Sequence, residues 1–165
     1  MNGDRKPVPY LKSKANLNQA RFSPDGHWVV YTSNESGTSE VYVRPFPEVD
    51  KGRWQVSTSG GDSPLWSRDG REMFYRNADA VMAVSVKTDR AFSAEAPKIL
   101  FHRTYVNSNF IPASLTLTSW DISPDGKRFL MMKEAASSAA AVEGPRHINI
   151  VLNWFEEVKQ RVSAR

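Results

Sequence analysis

Short apolar runs recur along the chain, each bounded by turn-forming residues. Trp28-Val29-Val30-Tyr31, Met73-Phe74-Tyr75 and Arg128-Phe129-Leu130-Met131-Met132 are strand-like. Glu40-Val41-Tyr42-Val43-Arg44 alternates polar and apolar and stops at Pro45-Phe46-Pro47, and Arg53-Trp54-Gln55-Val56-Ser57 alternates again before Gly60-Gly61. Ala80–Val86, Lys98–Phe101 and His147–Leu152 add three more runs. Short strands with frequent turn signals predict an all-β fold. The C-terminal stretch differs: Trp154, Phe155, Val158 and Val162 fall at helical spacing. Asn153 is placed to cap, with Glu156 as its capping-box partner, so a short helix is predicted over 154–165.

The turns themselves repeat. Ser23-Pro24-Asp25-Gly26 returns as Ser67-Arg68-Asp69-Gly70 and as Ser123-Pro124-Asp125-Gly126, at spacings of 44 and 56 residues. Each follows an apolar residue at the same offset: Phe22, Trp66 and Ile122. Ser bonds locally, Pro presets φ, Asp tolerates the third place and Gly takes the positive φ, which is the chemistry of a tight turn between strands. Propeller blades recur at about 40–45 residues, so the second spacing implies an insertion.

These residues resemble the WD40-like β-propellers related to TolB. The blade likeness is carried by Phe22–Tyr31 with Glu40–Val43, then Trp66–Tyr75, then Asp121–Leu130. The ending, Ile148–Glu157, resembles the last residues of propellers that follow bacterial Ser/Thr protein kinase domains. The resemblance implies a partial β-propeller of about three four-stranded antiparallel blades, half of a six-blade ring, with a short C-terminal helix. Its implied division is an orphan outer strand in 1–16, blades over 17–60 and 61–101, a connecting loop over 102–116, and a last blade over 117–153. That last blade carries a mobile Ala/Ser-rich loop at 134–146. The innermost strands are expected at Asn18–Phe22, Pro64–Trp66 and Thr118–Ile122.

Composition narrows the functions. The 165 residues suit one ordinary domain, and 40% hydrophobic with 24% charged residues is globular. The net charge of +4 comes from interspersed Lys and Arg, without the basic stripe of a nucleic-acid binder. No Cys is present, which excludes disulfides, thiolate metal sites and Cys nucleophiles. No stretch reaches the ~18 apolar residues of a membrane span. Met1 to Pro9 lacks the apolar core of a signal peptide. These features leave the compartment open: cytoplasmic for the segment as it stands, extracytoplasmic if it belongs to a membrane-anchored parent.

Candidate chemistry has a plain structural explanation at each place. Gly61-Asp62-Ser63-Pro64-Leu65 begins like a nucleophile elbow but lacks the closing Gly. His102-Arg103-Thr104 to Asn109 has the length of a kinase catalytic loop, with Thr104 where the Asp belongs and no phosphate-cradling Gly loop. His27, His102 and His147 are far apart in sequence, and Asp25, Asp69 and Asp125 have turn roles. Five Trp, five Tyr and eight Phe fall mostly on strands, where blade packing uses them. Arg5, Lys6, Lys12 and Lys14 are explained by a solvated edge strand. The expectation is no catalytic residue, no cofactor and no metal, and an interaction module for a protein or peptide. Its alternative is the accessory propeller of an enzyme, a kinase or a prolyl-peptidase-like hydrolase, whose catalytic domain lies outside this chain. A homodimer completing a six-blade ring is also expected, with each Val8–Leu11 strand lying beside the other chain's Ile148–Leu152.

Overall fold

The computed structural model describes residues 7–89, 91–102 and 119–132, and the backbone of 148–151. Three antiparallel sheets follow one another along the chain. The first runs β1 (Leu17–Phe22), β2 (Trp28–Ser33), β3 (Glu40–Pro45), β4 (Trp54–Gln55), each strand pairing with the next. The second holds β5 (Asp62–Trp66), β6 (Glu72–Asn77) and β7 (Ala80–Lys87), with β8 (Ser93–Ala94) and β9 (Lys98–His102) both paired to β7. The third holds β10 (Trp120–Ile122), β11 (Phe129–Met132) and β12 (Ile148–Val151). The first and third are meanders of sequential neighbours, and the second is one as far as β8, with β9 returning to β7; antiparallel meanders of this kind build a propeller blade. The chain is a partial β-propeller of three such blades.

The repeated turns set the register. In each, the Gly N–H donates to the Ser carbonyl, at 2.9 Å (Gly26), 3.0 Å (Gly70) and 2.8 Å (Gly126). The Asp carboxylate then accepts the N–H two residues on, from His27, Arg71 and Lys127. The Ser hydroxyl donates to that same carboxylate and accepts an N–H at the start of the next strand, from Trp28 and Glu72, or just ahead of it, from Arg128. Gly26, Gly70 and Gly126 all lie at φ near +70° (74°, 70° and 69°), where a Cβ is strained.

Side chains alternate across each strand, so every blade has two packing faces. Trp28 and Val30 of the first blade meet Met73 and Tyr75 of the second in one buried cluster. Phe74 of the second blade meets Phe129 and Met131 of the third in another. The core is thus two layers sandwiched between three sheets. A triad of rings seals the first joint: Trp28, Trp54 and Phe92 stand with centroids 5.5–5.6 Å apart. Glu40, buried beneath the linker to the second blade, accepts from Ser57 Oγ and from the Gly60 N–H at 2.8 Å.

Two expectations change. The fourth strand of the second blade, expected as Lys98–Phe101 alone, is split. β7 is eight residues long, and β8 pairs with its end at Val86 and Lys87 while β9 pairs with its beginning at Ala80–Ala83. Residues 7–16 form no strand, where an outer strand of a preceding blade was expected. A strand requires a ladder partner, and this segment instead lies on the first blade, where Tyr10 Oη donates to the Pro45 carbonyl at 2.6 Å and its ring packs on Phe46. The predicted helix at 154–165, the loop at 134–146 and residues 103–116 of the connecting loop lie outside the described residues.

Candidate interaction groove on the first blade

The first blade has a face turned away from the second. It carries Phe22, Val29 and Tyr31, at the positions that hold Trp66, Met73 and Tyr75 in the second blade. Those three pack against the preceding sheet. Here the preceding place is taken by the folded-back residues Tyr10 and Leu11. They do not fill it: a groove of about 340 Å³ remains, walled by Tyr10, Leu11, Leu17 and Ala20, floored by Val29 and Tyr31, and edged by Asn18 and Gln19. Phe22 stays 57% exposed at the rim and meets Phe46 edge-on.

The polar groups of the groove are held in place. Tyr31 stacks on Tyr42, and its Oη accepts from Arg44 Nε at 3.0 Å. Arg44 is anchored in turn by the Val49 carbonyl at 2.9 Å. Burial pushes the phenol pKa of Tyr31 up, against the lowering effect of Arg44, and burial does the same to Tyr10. Both rings therefore stay neutral well above physiological pH, each with its hydroxyl held; Tyr31 is buried beneath the groove at 3% exposure, and Tyr10 is half-buried in its wall.

Along the groove edge the innermost strand bulges. β1 loses register between Asn18 and Arg21, with Gln19 at φ 54°, and β5 repeats this between Asp62 and Leu65, with Ser63 at φ 52°. Each residue stands four before its hairpin serine. Positive φ costs a non-glycine residue energy and is tolerated where the surroundings impose it. They do so here: Gln19 Nε2 donates to Ser63 Oγ (3.0 Å), and Ser63 N–H donates to Gln19 Oε1 (2.7 Å). Thr32 Oγ1 donates to the Asn18 carbonyl at 3.1 Å, and Trp120 Nε1 donates to the Ser63 carbonyl at 2.9 Å. This chain of bonds ties the innermost strands of all three blades together. Beside it, burial raises the Asp62 carboxyl pKa, opposed by a bond from Ser63 and by the charge of Arg76.

The residues singled out by sequence fall as follows. Asp25, Asp69 and Asp125 sit on three separate turns, each bonded within its own turn. Ser63 is buried, and its groups bond to Gln19, to Trp120 and to the neighbouring Asp62 carboxyl. His27 is on the first turn, His102 ends β9 with Nδ1 3.4 Å from Asp79, and His147 lies outside the described residues. Among the described residues no group of three His, Cys, Asp or Glu is placed to hold a metal ion. No helix of the described residues is long and apolar enough to cross a membrane. The groove was missed by sequence reasoning. Its one sequence signal is the apolar pair Tyr10-Leu11 ahead of the first blade, read there as part of a strand.

No family model and no curated protein matches the sequence. Solved structures do. An oligogalacturonate lyase from Vibrio parahaemolyticus is 14% identical with a TM-score of 0.49, over 74% of this chain and 31% of that one. TolB from Acinetobacter baumannii is 16% identical with a TM-score of 0.48, over 71% of this chain and 26% of that one. The chain therefore spans about a third or less of the proteins it is similar to. The blade assignment rests on the sheets themselves.

Proposed function

We propose that this chain is a non-catalytic β-propeller module that binds a protein or peptide, as the sensor or scaffold part of a larger protein. The groove on the first blade carries the reading. It combines an apolar floor, Val29 and Tyr31, with fixed polar groups at its edge, the arrangement that takes one or two apolar side chains of a partner. The likeness of Ile148–Glu157 to the ends of kinase-attached propellers supports a kinase-associated sensor as the larger setting.

Fluorescence anisotropy tests the reading. The probe is a set of labelled, otherwise polar peptides, each with one central Leu, Met or Phe. Saturable binding by the chain is expected, and Ala20→Arg, at an exposed groove position, abolishes it. Absence of binding across the set, or binding that Ala20→Arg leaves intact, contradicts it.

A further inference from the structure

Each repeated turn contains an Asp-Gly pair: Asp25-Gly26, Asp69-Gly70 and Asp125-Gly126. In an open chain such a pair rearranges readily. Glycine has no Cβ, so its nitrogen approaches the aspartyl carboxyl unhindered. The nitrogen attacks Cγ of the neutral acid; the N–Cγ bond forms, the Cγ–OH bond breaks, and the hydroxyl leaves as water with the amide proton. A cyclic succinimide results. Water then adds to one of its two carbonyls. Opening the N–Cγ bond restores aspartate. Opening the other routes the main chain through Cβ, as isoaspartate.

The folded turn withholds both reacting atoms. The nitrogen is engaged, since the Gly N–H donates to the Ser carbonyl at 2.8–3.0 Å in all three turns. The carboxyl is engaged on Oδ1, which accepts from the Ser hydroxyl and from the N–H beyond the glycine, of His27, Arg71 or Lys127. In the third turn Arg128 Nη2 also holds Oδ2, at 3.1 Å. These bonds favour the ionised carboxylate, which accepts only, whereas ring closure needs the neutral acid. The bond from the serine is the largest cause holding Asp69 and Asp125 below their ordinary pKa; in Asp25 burial pushes up, and Ser23 and His27 outweigh it. One residue thus serves both halves of the restraint: the serine takes the Gly N–H with its carbonyl and the carboxylate with its hydroxyl.

We propose that the three Asp-Gly pairs are latent isoaspartate sites, and that the serine of each turn is the positioning residue that keeps its own pair unreacted in the folded chain. The turns stand on three separate sheets and share no bond of this pattern, so each serine protects one pair only. An isomerised turn carries one more main-chain carbon between Asp and Gly and cannot repeat the Gly-to-Ser bond. The modification therefore persists on refolding and marks the hairpin that opened.

Incubation of the full chain at neutral pH, followed by peptide mapping with electron-transfer fragmentation, counts isoaspartate at each turn. The folded wild type is expected to react at least about fivefold more slowly at all three pairs than the same chain in urea, the factor one ordinary hydrogen bond supplies. Ser123→Ala raises the rate at Asp125 alone, and Ser67→Ala raises it at Asp69 alone. Ser123→Thr, which keeps a hydroxyl, returns the wild-type rate. The intact turns of each variant are its control, because a chain that had merely unfolded reacts at all three. Wild-type rates equal to those in urea, alanine variants no faster than wild type, a uniform rise at all three turns in both alanine variants, or a Ser123→Thr rate equal to that of Ser123→Ala overturns the proposal.

Discussion

Gln19 and Ser63 hold each other across the joint of the first two blades, through a side-chain bond of 3.0 Å and a backbone-to-side-chain bond of 2.7 Å. Both sit at left-handed φ, on matching bulges of neighbouring innermost strands. The reciprocal pair compensates two strained residues at once. Ser63 is buried, so deleting the Gln19 amide leaves its N–H without a partner in a dry site. Gln19→Ala is predicted to cost about 1–3 kcal/mol in urea unfolding. A cost within error of zero would show that the clasp contributes nothing.

The hairpin glycines give a second prediction. A Cβ at Gly26 or Gly126 meets nothing within 4 Å, so strain at φ near +70° is the only penalty there. Gly26→Val is expected to lower stability by about 1–2 kcal/mol, with Gly26→Asn costing less. Equal melting temperatures for the Val and Asn variants would contradict this.

Gly52 is different in kind. Its backbone is extended, at φ 169°, and any residue adopts that conformation. A Cβ there would overlap the Trp54 indole, which leans on Trp28 and Phe92. Gly52→Ala is predicted to cost about 1–3 kcal/mol and to shift tryptophan emission to the red, as the ring triad opens. Unchanged emission with unchanged stability would place the indole elsewhere.

Carboxylates shifted in opposite directions set the pH dependence. The Ser67 hydroxyl and Arg71 N–H hold the Asp69 carboxyl below its ordinary pKa, and Ser123 with Lys127 do the same for Asp125. For Asp25, burial pushes up, but Ser23 and His27 outweigh it and the carboxyl is again lowered. A lowered carboxyl stabilises the fold above its unfolded pKa, and that contribution is lost as pH falls through the folded value. Asp62 runs the other way: burial raises it, so its charge costs stability above the folded pKa and the cost disappears in acid. Asp69→Asn is therefore predicted to flatten the acid limb of a stability profile. Asp62→Asn is predicted to raise the melting temperature near neutrality, with the gain shrinking in acid. Profiles parallel to the wild type for both would contradict these assignments.

The hairpins were legible in sequence because their chemistry is local: one Ser, one Asp and one Gly within four residues close the whole bond pattern. The strands beside them were legible for the same reason, as alternation spans only a few residues. The bulges at Gln19 and Ser63 were not, since each is stabilised by the other from 44 residues away. The two-residue strand Ser93–Ala94 carries too little pattern to be read, and it exists because β7 is long enough to seat two partners. The groove depends on Tyr10 returning to Pro45, a contact that no local signal announces.

The central claim, that the first-blade groove is a docking site, is tested most directly by amide NMR of the labelled chain titrated with the leucine-centred peptide. The account predicts saturable shifts centred on Leu17, Asn18, Gln19, Ala20, Val29 and Tyr31, absent in Ala20→Arg. Shifts centred instead on the Ser67–Gly70 or Ser123–Gly126 turns, or no shifts at saturating peptide, would contradict it.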